Sequence, residues 1–98
     1  MHKFEAHITC HVNQADEVKI IGVEFGWKFS CIEGDALMGP KPYCYLTGYS
    51  TDKHELYFNV QRLTVTLQRR GVEVLRSKIE QIIFDTKTGI DELAIGEQ

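Results

Sequence analysis

The sequence predicts an α+β domain, a four-stranded antiparallel sheet with two helices on one face. Three observations carry this. Residues Lys3 to Val12 alternate almost without fault between apolar and polar side chains, the period of a half-buried strand. Leu56, Val60, Leu63 and Leu67 recur at helical spacing between Asp52, a start signal, and Gly71, a stop signal. The remaining segments complete the order strand, helix, strand, strand, helix, strand.

In the first strand, Phe4, Ala6, Ile8, Cys10 and Val12 fall on one side, and Lys3, Glu5, His7, Thr9 and His11 on the other. Asn13 reads as the N-cap of the first helix, with Asp16 and Glu17 where the helix dipole favours acids. Val18, Ile21, Gly22 and Phe25 share a helical face, and Gly26 ends it. Gly22 has no side chain, which lets the helix sit close to the sheet. Trp27 to Ile32 alternates again, with Trp27, Phe29 and Cys31 on one face and Lys28, Ser30 and Ile32 on the other. Glu33 to Pro42 holds both prolines and reads as a loop.

The third strand is expected from about Tyr43 to Tyr49. Tyr43, Tyr45, Thr47 and Tyr49 lie on one face, and Cys44, Leu46 and Gly48 on the other. Asp52 caps the second helix, with Glu55 three residues on forming a pair like a capping box. Val72 to about Asp85 is β-rich, but its alternation slips, which predicts a bulge or bend. Residues 1–85 thus form one domain of split βαβ, ferredoxin-like type, with the first and third strands in the centre. Residues 86–98 read as a polar C-terminal tail, with Ile90, Leu93 and Ala94 able to form a short helical turn.

Composition narrows the function. Of the 98 residues, 43 % are hydrophobic and 26 % charged, as in ordinary globular proteins. The net charge of −3 argues against a general nucleic-acid coat. No apolar run is long enough to span a membrane and no signal peptide opens the chain. Cys10, Cys31 and Cys44 have no C-x-x-C spacing and read as buried free thiols of a reducing, cytoplasmic compartment.

The chemistry, if any, is expected on the sheet face away from the helices. Alternation places His7, Thr9 and His11 there, beside Tyr43, Tyr45 and Thr47, with Lys28 and Ser30 from the second strand. Arg76 and Lys78 join them if Leu75, Ser77 and Ile79 point inward. Such a cationic, hydrogen-bonding surface suits an anionic ligand, a nucleotide or another phosphate compound. Two other readings of the same residues stand beside it. A polar outer face is ordinary for an antiparallel sheet, and exposed tyrosines suit a homodimer interface. His7 and His11 share a face, but Glu5 is the one local candidate for a third ligand, so neither a metal site nor a cofactor is assigned.

The segment His7-Ile8-Thr9-Cys10 resembles the His-x-Thr/Ser-x motif of the two-histidine phosphoesterases, which include RNA ligase-like cyclic phosphodiesterases. The resemblance implies His7 as a catalytic acid/base and Thr9 as a catalytic residue that holds phosphate. The family uses two such motifs in two lobes; this chain has one, since His2, His11 and His54 stand in other contexts. An enzyme of that type would need a homodimer to complete its site. The main expectation is therefore a small homodimeric module that binds a ligand or partner on its open sheet face. The phosphodiesterase is the alternative.

Overall fold

The computed structural model describes residues 3–31, 42–85 and 89–97, and the side chains of those up to Ile82. It contains strands β1 (Phe4–His11), β2 (Lys28–Cys31), β3 (Tyr43–Ser50), β4 (Val74–Asp85) and β5 (Gly89–Glu97). Helix α1 (Ala15–Glu24) follows β1 through a short 3-10 turn, Val12–Gln14, and α2 (Lys53–Arg69) joins β3 to β4. The strands form one antiparallel sheet in the order β2-β3-β1-β4-β5. β1 and β2 therefore run parallel with β3 between them, and β3 and β4 run parallel with β1 between them.

The core follows the sequence alternation. Ala6, Ile8 and Cys10 of β1 and Cys44 and Leu46 of β3 are fully buried against Val18 and Ile21 of α1 and Leu56, Val60, Leu63 and Leu67 of α2. Both helices thus cover one face of the sheet, where burial of each large aliphatic side chain contributes roughly 1.5–3 kcal/mol. Two glycines set the layer spacing. A Cβ at Gly22 would run into the Leu46 side chain, and one at Gly48 into the Trp27 indole, 2.6 Å from its Cδ2. Neither glycine needs its conformational freedom, because positive φ among the described residues occurs only at Gly26 and Gly71, just past the two helices.

The cap of α2 is as expected at Asp52, whose Oδ1 accepts from the backbone N–H of His54 (2.8 Å) and Glu55 (3.3 Å). Its own N–H donates to Ser50 Oγ (3.0 Å), the role a capping box would give to Glu55. At α1 the structure differs from the sequence reading. Asn13 is not the cap, because the chain first makes the 3-10 turn and Asn13 N–H donates to His11 Nδ1 (3.2 Å). Val12, expected in the first strand's core set, lies in that turn and is exposed. Gln14 then bridges to the far end of α2. Its Nε2 donates to Gly71 O (2.6 Å) and its Oε1 accepts from Glu73 N–H (3.1 Å).

The slip expected in the last strand of the domain is a bulge. Thr9 pairs with Arg76 but Cys10 with Val74, so Leu75 is the extra residue. Leu75 is consequently 42 % exposed rather than inward, while Ser77 and Ile79 are buried as expected. Cys31 is also exposed, unlike Cys10 and Cys44. The segment read as a polar tail contributes β5 instead, paired with β4 from Asp85↔Gly89 to Lys78↔Glu97. Polar strands pair when an edge offers its backbone groups, and that pairing carries no strong signal in side-chain alternation. The loop expected over Glu33 to Pro42 lies, apart from Pro42, outside the described residues, as does Ile32. No helix among the described residues is long and apolar enough to cross a membrane.

Candidate functional site

Strand pairing assembles two adjacent rows across the face turned away from the helices. Lys28 pairs with Thr47, Thr47 with His7, and His7 with Lys78. In the next row, Ser30 pairs with Tyr45, Tyr45 with Thr9, and Thr9 with Arg76. Directly opposed residues have their Cβ atoms about 4.5–5.5 Å apart, so each row is a line of neighbouring side chains. The bulge matters here: it lets Val74 follow the core side while Arg76 and Lys78 stay in register with Thr9 and His7.

The rows enclose a shallow cavity of about 280 Å³ lined by His7, Ser30, Tyr45, Thr47, Arg76 and Lys78. Four of the sequence-predicted residues, His7, Tyr45, Arg76 and Lys78, thus meet in one depression. Thr9, Lys28, His11 and Tyr43 lie on the same face outside its lining. His11 has a local task as well, because its Nδ1 accepts the N–H of Asn13 at the end of β1. Sequence reasoning placed Ser30 and Thr47 on this face without naming them as ligand contacts.

His7 is half-buried at the centre, and its two ring nitrogens face different chemistry. Nδ1 is 3.2 Å from Thr47 Oγ1. Nε2 is 3.5 Å from Glu5 Oε1 and 4.0 Å from Glu80 Oε2. Glu5 and Glu80 oppose each other in the β1–β4 register, and although they belong to the outer face they are 8 % and 4 % exposed. Lys78 Nζ forms an ion pair with Glu80 Oε1. Glu80 Oε2 is buried and accepts no hydrogen bond among the described residues.

The site residue that sequence reasoning missed is Glu80. Its signal was present: it stands two residues beyond Lys78, on the same alternating face as Arg76 and Lys78.

The buried thiols play no part in this face. Burial, together with the neighbouring Cys44, pushes the Cys10 thiol from an ordinary value of 9.0 up to about 12. Burial, then Cys31, pushes Cys44 up to about 11. Cys44 Sγ donates to His11 O at 3.7 Å, so both groups remain neutral thiols inside the core.

In comparisons with known proteins, no protein-family model matches the chain, and no curated protein or solved structure matches it at a significant level. The resemblance to the two-histidine phosphoesterases rests on the His7–Cys10 tetrad.

Proposed function

We propose that this chain is a small ferredoxin-like module, with β5 as an added edge strand, that binds an anionic, phosphate-bearing small molecule on its open sheet face. One observation carries the reading: the cavity joins two cationic side chains, Arg76 and Lys78, to four hydrogen-bonding ones, His7, Ser30, Tyr45 and Thr47. In a protein of net charge −3 such convergence is local. Lys78 shares its charge with the Glu80 carboxylate, so Arg76 together with that partly neutralised ammonium supplies charge for a phosphate group, and the hydroxyls and the ring supply orientation. The volume lies just below the usual range of ligand sites, about 300 to 1,000 Å³. It suits a nucleotide's phosphate end better than a large organic body.

Calorimetric titration with inorganic phosphate, AMP and a 2',3'-cyclic nucleotide tests this. A charge-assisted hydrogen bond contributes about 1.5–3 kcal/mol, so Arg76→Ala should weaken binding by about 10–150-fold. Lys28→Ala, outside the lining, should have a much smaller effect. A wild-type protein that binds none of the three refutes the reading.

The homodimer is proposed on the same face. Tyr43 and Tyr49 lie exposed beside the cavity and offer contact area to a twin. Light scattering that finds a monomer at high micromolar concentration refutes it. The phosphodiesterase alternative is favoured by one observation, that His7 and Thr9 stand in register with Lys78 and Arg76 on neighbouring strands. It requires turnover of a 2',3'-cyclic nucleotide that His7→Ala abolishes.

A further inference from the structure

We infer that Glu5, His7 and Glu80 form a binding site for a divalent transition-metal ion, with Zn²⁺ the best fit. The three offer one ligand atom each, all within 4.8 Å of one another. A tetrahedral zinc with bonds of about 2.0–2.2 Å has its ligands roughly 3.3–3.5 Å apart. His7 Nε2 and Glu5 Oε1 already stand at 3.5 Å, and Glu80 Oε2 is 4.0 Å from the same nitrogen. Side-chain shifts on the order of 1 Å close the set around an ion. One imidazole and two carboxylates are a donor set that zinc accepts readily, with a fourth position left for water or an anion.

Two independent features point to a ligand rather than to a chance cluster. The first is Glu80 Oε2. The residue is 4 % exposed, its other oxygen is held by Lys78, and this oxygen is buried without a hydrogen bond among the described residues, beside the imidazole. A buried carboxylate oxygen left unsatisfied is unfavourable, a penalty that a bound cation removes. The second is the outer side of the His7 ring. Nδ1 is hydrogen-bonded to the Thr47 hydroxyl at 3.2 Å. When Nδ1 donates, the proton sits there and the lone pair sits on Nε2, the nitrogen that faces the carboxylates. Metal-bound histidines are held in this way by a partner on the far nitrogen.

The inference does not depend on the anion reading, and zinc binding is measured without any phosphate present. ZnCl₂ is titrated into the full chain by calorimetry, and the histidine ring signals are followed by NMR. The expected result is a saturable one-to-one isotherm, with the His7 ring signals shifted and those of His54 unmoved. Glu80→Gln should weaken zinc by about tenfold or more, and Thr47→Val, which removes only the outer partner, by about 10–100-fold. Cys31→Ser should leave the affinity unchanged. The inference is overturned if zinc produces no saturable shift of the His7 signals in the wild-type protein, a measurement independent of how any variant folds. It is equally overturned if affinity survives in a folded Glu80→Gln variant or falls in Cys31→Ser.

Discussion

Gly48→Ala adds a single methyl group to β3, and the structure fixes what that methyl meets. Gly48 is buried opposite Ala6, and its missing Cβ is the space into which the Trp27 indole packs. An alanine Cβ would stand 2.6 Å from Trp27 Cδ2, well inside van der Waals contact. The ring is a rigid plane, 7 % exposed at the edge of the core, and it cannot yield by rotating a terminal methyl as a leucine would. Overpacking of this kind costs about 1–3 kcal/mol. Against it stands the loss of chain entropy in the unfolded state, which favours alanine by about 0.4–1 kcal/mol at an unstrained site. Gly48 qualifies as unstrained, since its φ is not positive. The net expectation is a loss of about 1–2 kcal/mol. For a domain of this size each kcal/mol lowers Tm by about 4–8 °C. Urea titration followed by circular dichroism gives the loss, and Trp27, the only tryptophan, reports the same contact by a shifted emission. In a Trp27→Phe background the smaller ring should relieve the clash, so the two changes should couple by about 0.5 kcal/mol or more. A Gly48→Ala variant as stable as the parent, with unchanged emission, would refute the claim that this glycine is kept for space.

Three further expectations concern the core and the thiols. Leu63→Ala, at a fully buried position of α2, should cost about 2–5 kcal/mol in denaturant titration, and a loss below about 1 kcal/mol would show that the stripe is not core. In the native protein one thiol, Cys31, should react quickly with a water-soluble thiol reagent at neutral pH, and all three should react after denaturation. The raised values of Cys10 and Cys44 also set a sign. Folding favours the neutral thiols, so their contribution to stability is whole below pH 9.0 and is lost as pH rises through about 11 and 12. Cys10→Ala should therefore show a shallower alkaline decline than the parent, measured by urea titration across that range.

What the sequence disclosed follows from which forces are local. The alternation of β1 and the leucine stripe of α2 report burial directly: Ala6, Ile8 and Cys10 and all four stripe residues are buried, while Phe4 is half-buried and Val12, beyond the strand's end, is exposed. Asp52 is legible because a cap is a contact between near neighbours in sequence. Asn13 is not the cap of α1 because a tertiary constraint competes: Val12 N–H is held by Pro42 O at 2.7 Å, and the chain leaves β1 through a 3-10 turn. The bulge at Leu75 was legible as a slip but not as a position, since choosing which residue is extra depends on its partner strand. β5 was missed for a related reason. Its pairing is made by backbone groups along an edge, and the segment's composition resembles a tail. Glu80 is the instructive omission. Once Arg76 and Lys78 are placed outward, period two places Glu80 outward too, but its burial comes from neighbours that a single strand cannot reveal.

The geometry of His7 bears on whether this face holds a ligand or transforms one. An imidazole has two nitrogens, and a general acid or base must bring one of them within hydrogen-bond reach of the reacting group. Here Nδ1 is 3.2 Å from the Thr47 hydroxyl and Nε2 is 3.5 Å from the Glu5 carboxylate. A proton transfer through either nitrogen would first have to displace a contact, and the second His-x-Thr segment that would share the work is absent from the chain. Binding makes no such demand. Under the proposed reading an anion would sit on Arg76, Lys78 and the hydroxyls of the cavity while the ring stays fixed. The carboxylates on the far side of the ring then lie beside a site for negative charge, an arrangement that would weaken anion binding unless their charge is compensated. Lys78 compensates part of it through Glu80. For an anion to bind there, a proton on His7 or a metal ion would have to compensate the rest, and the two alternatives separate cleanly, because only with the metal would anion affinity fall when a chelator is added.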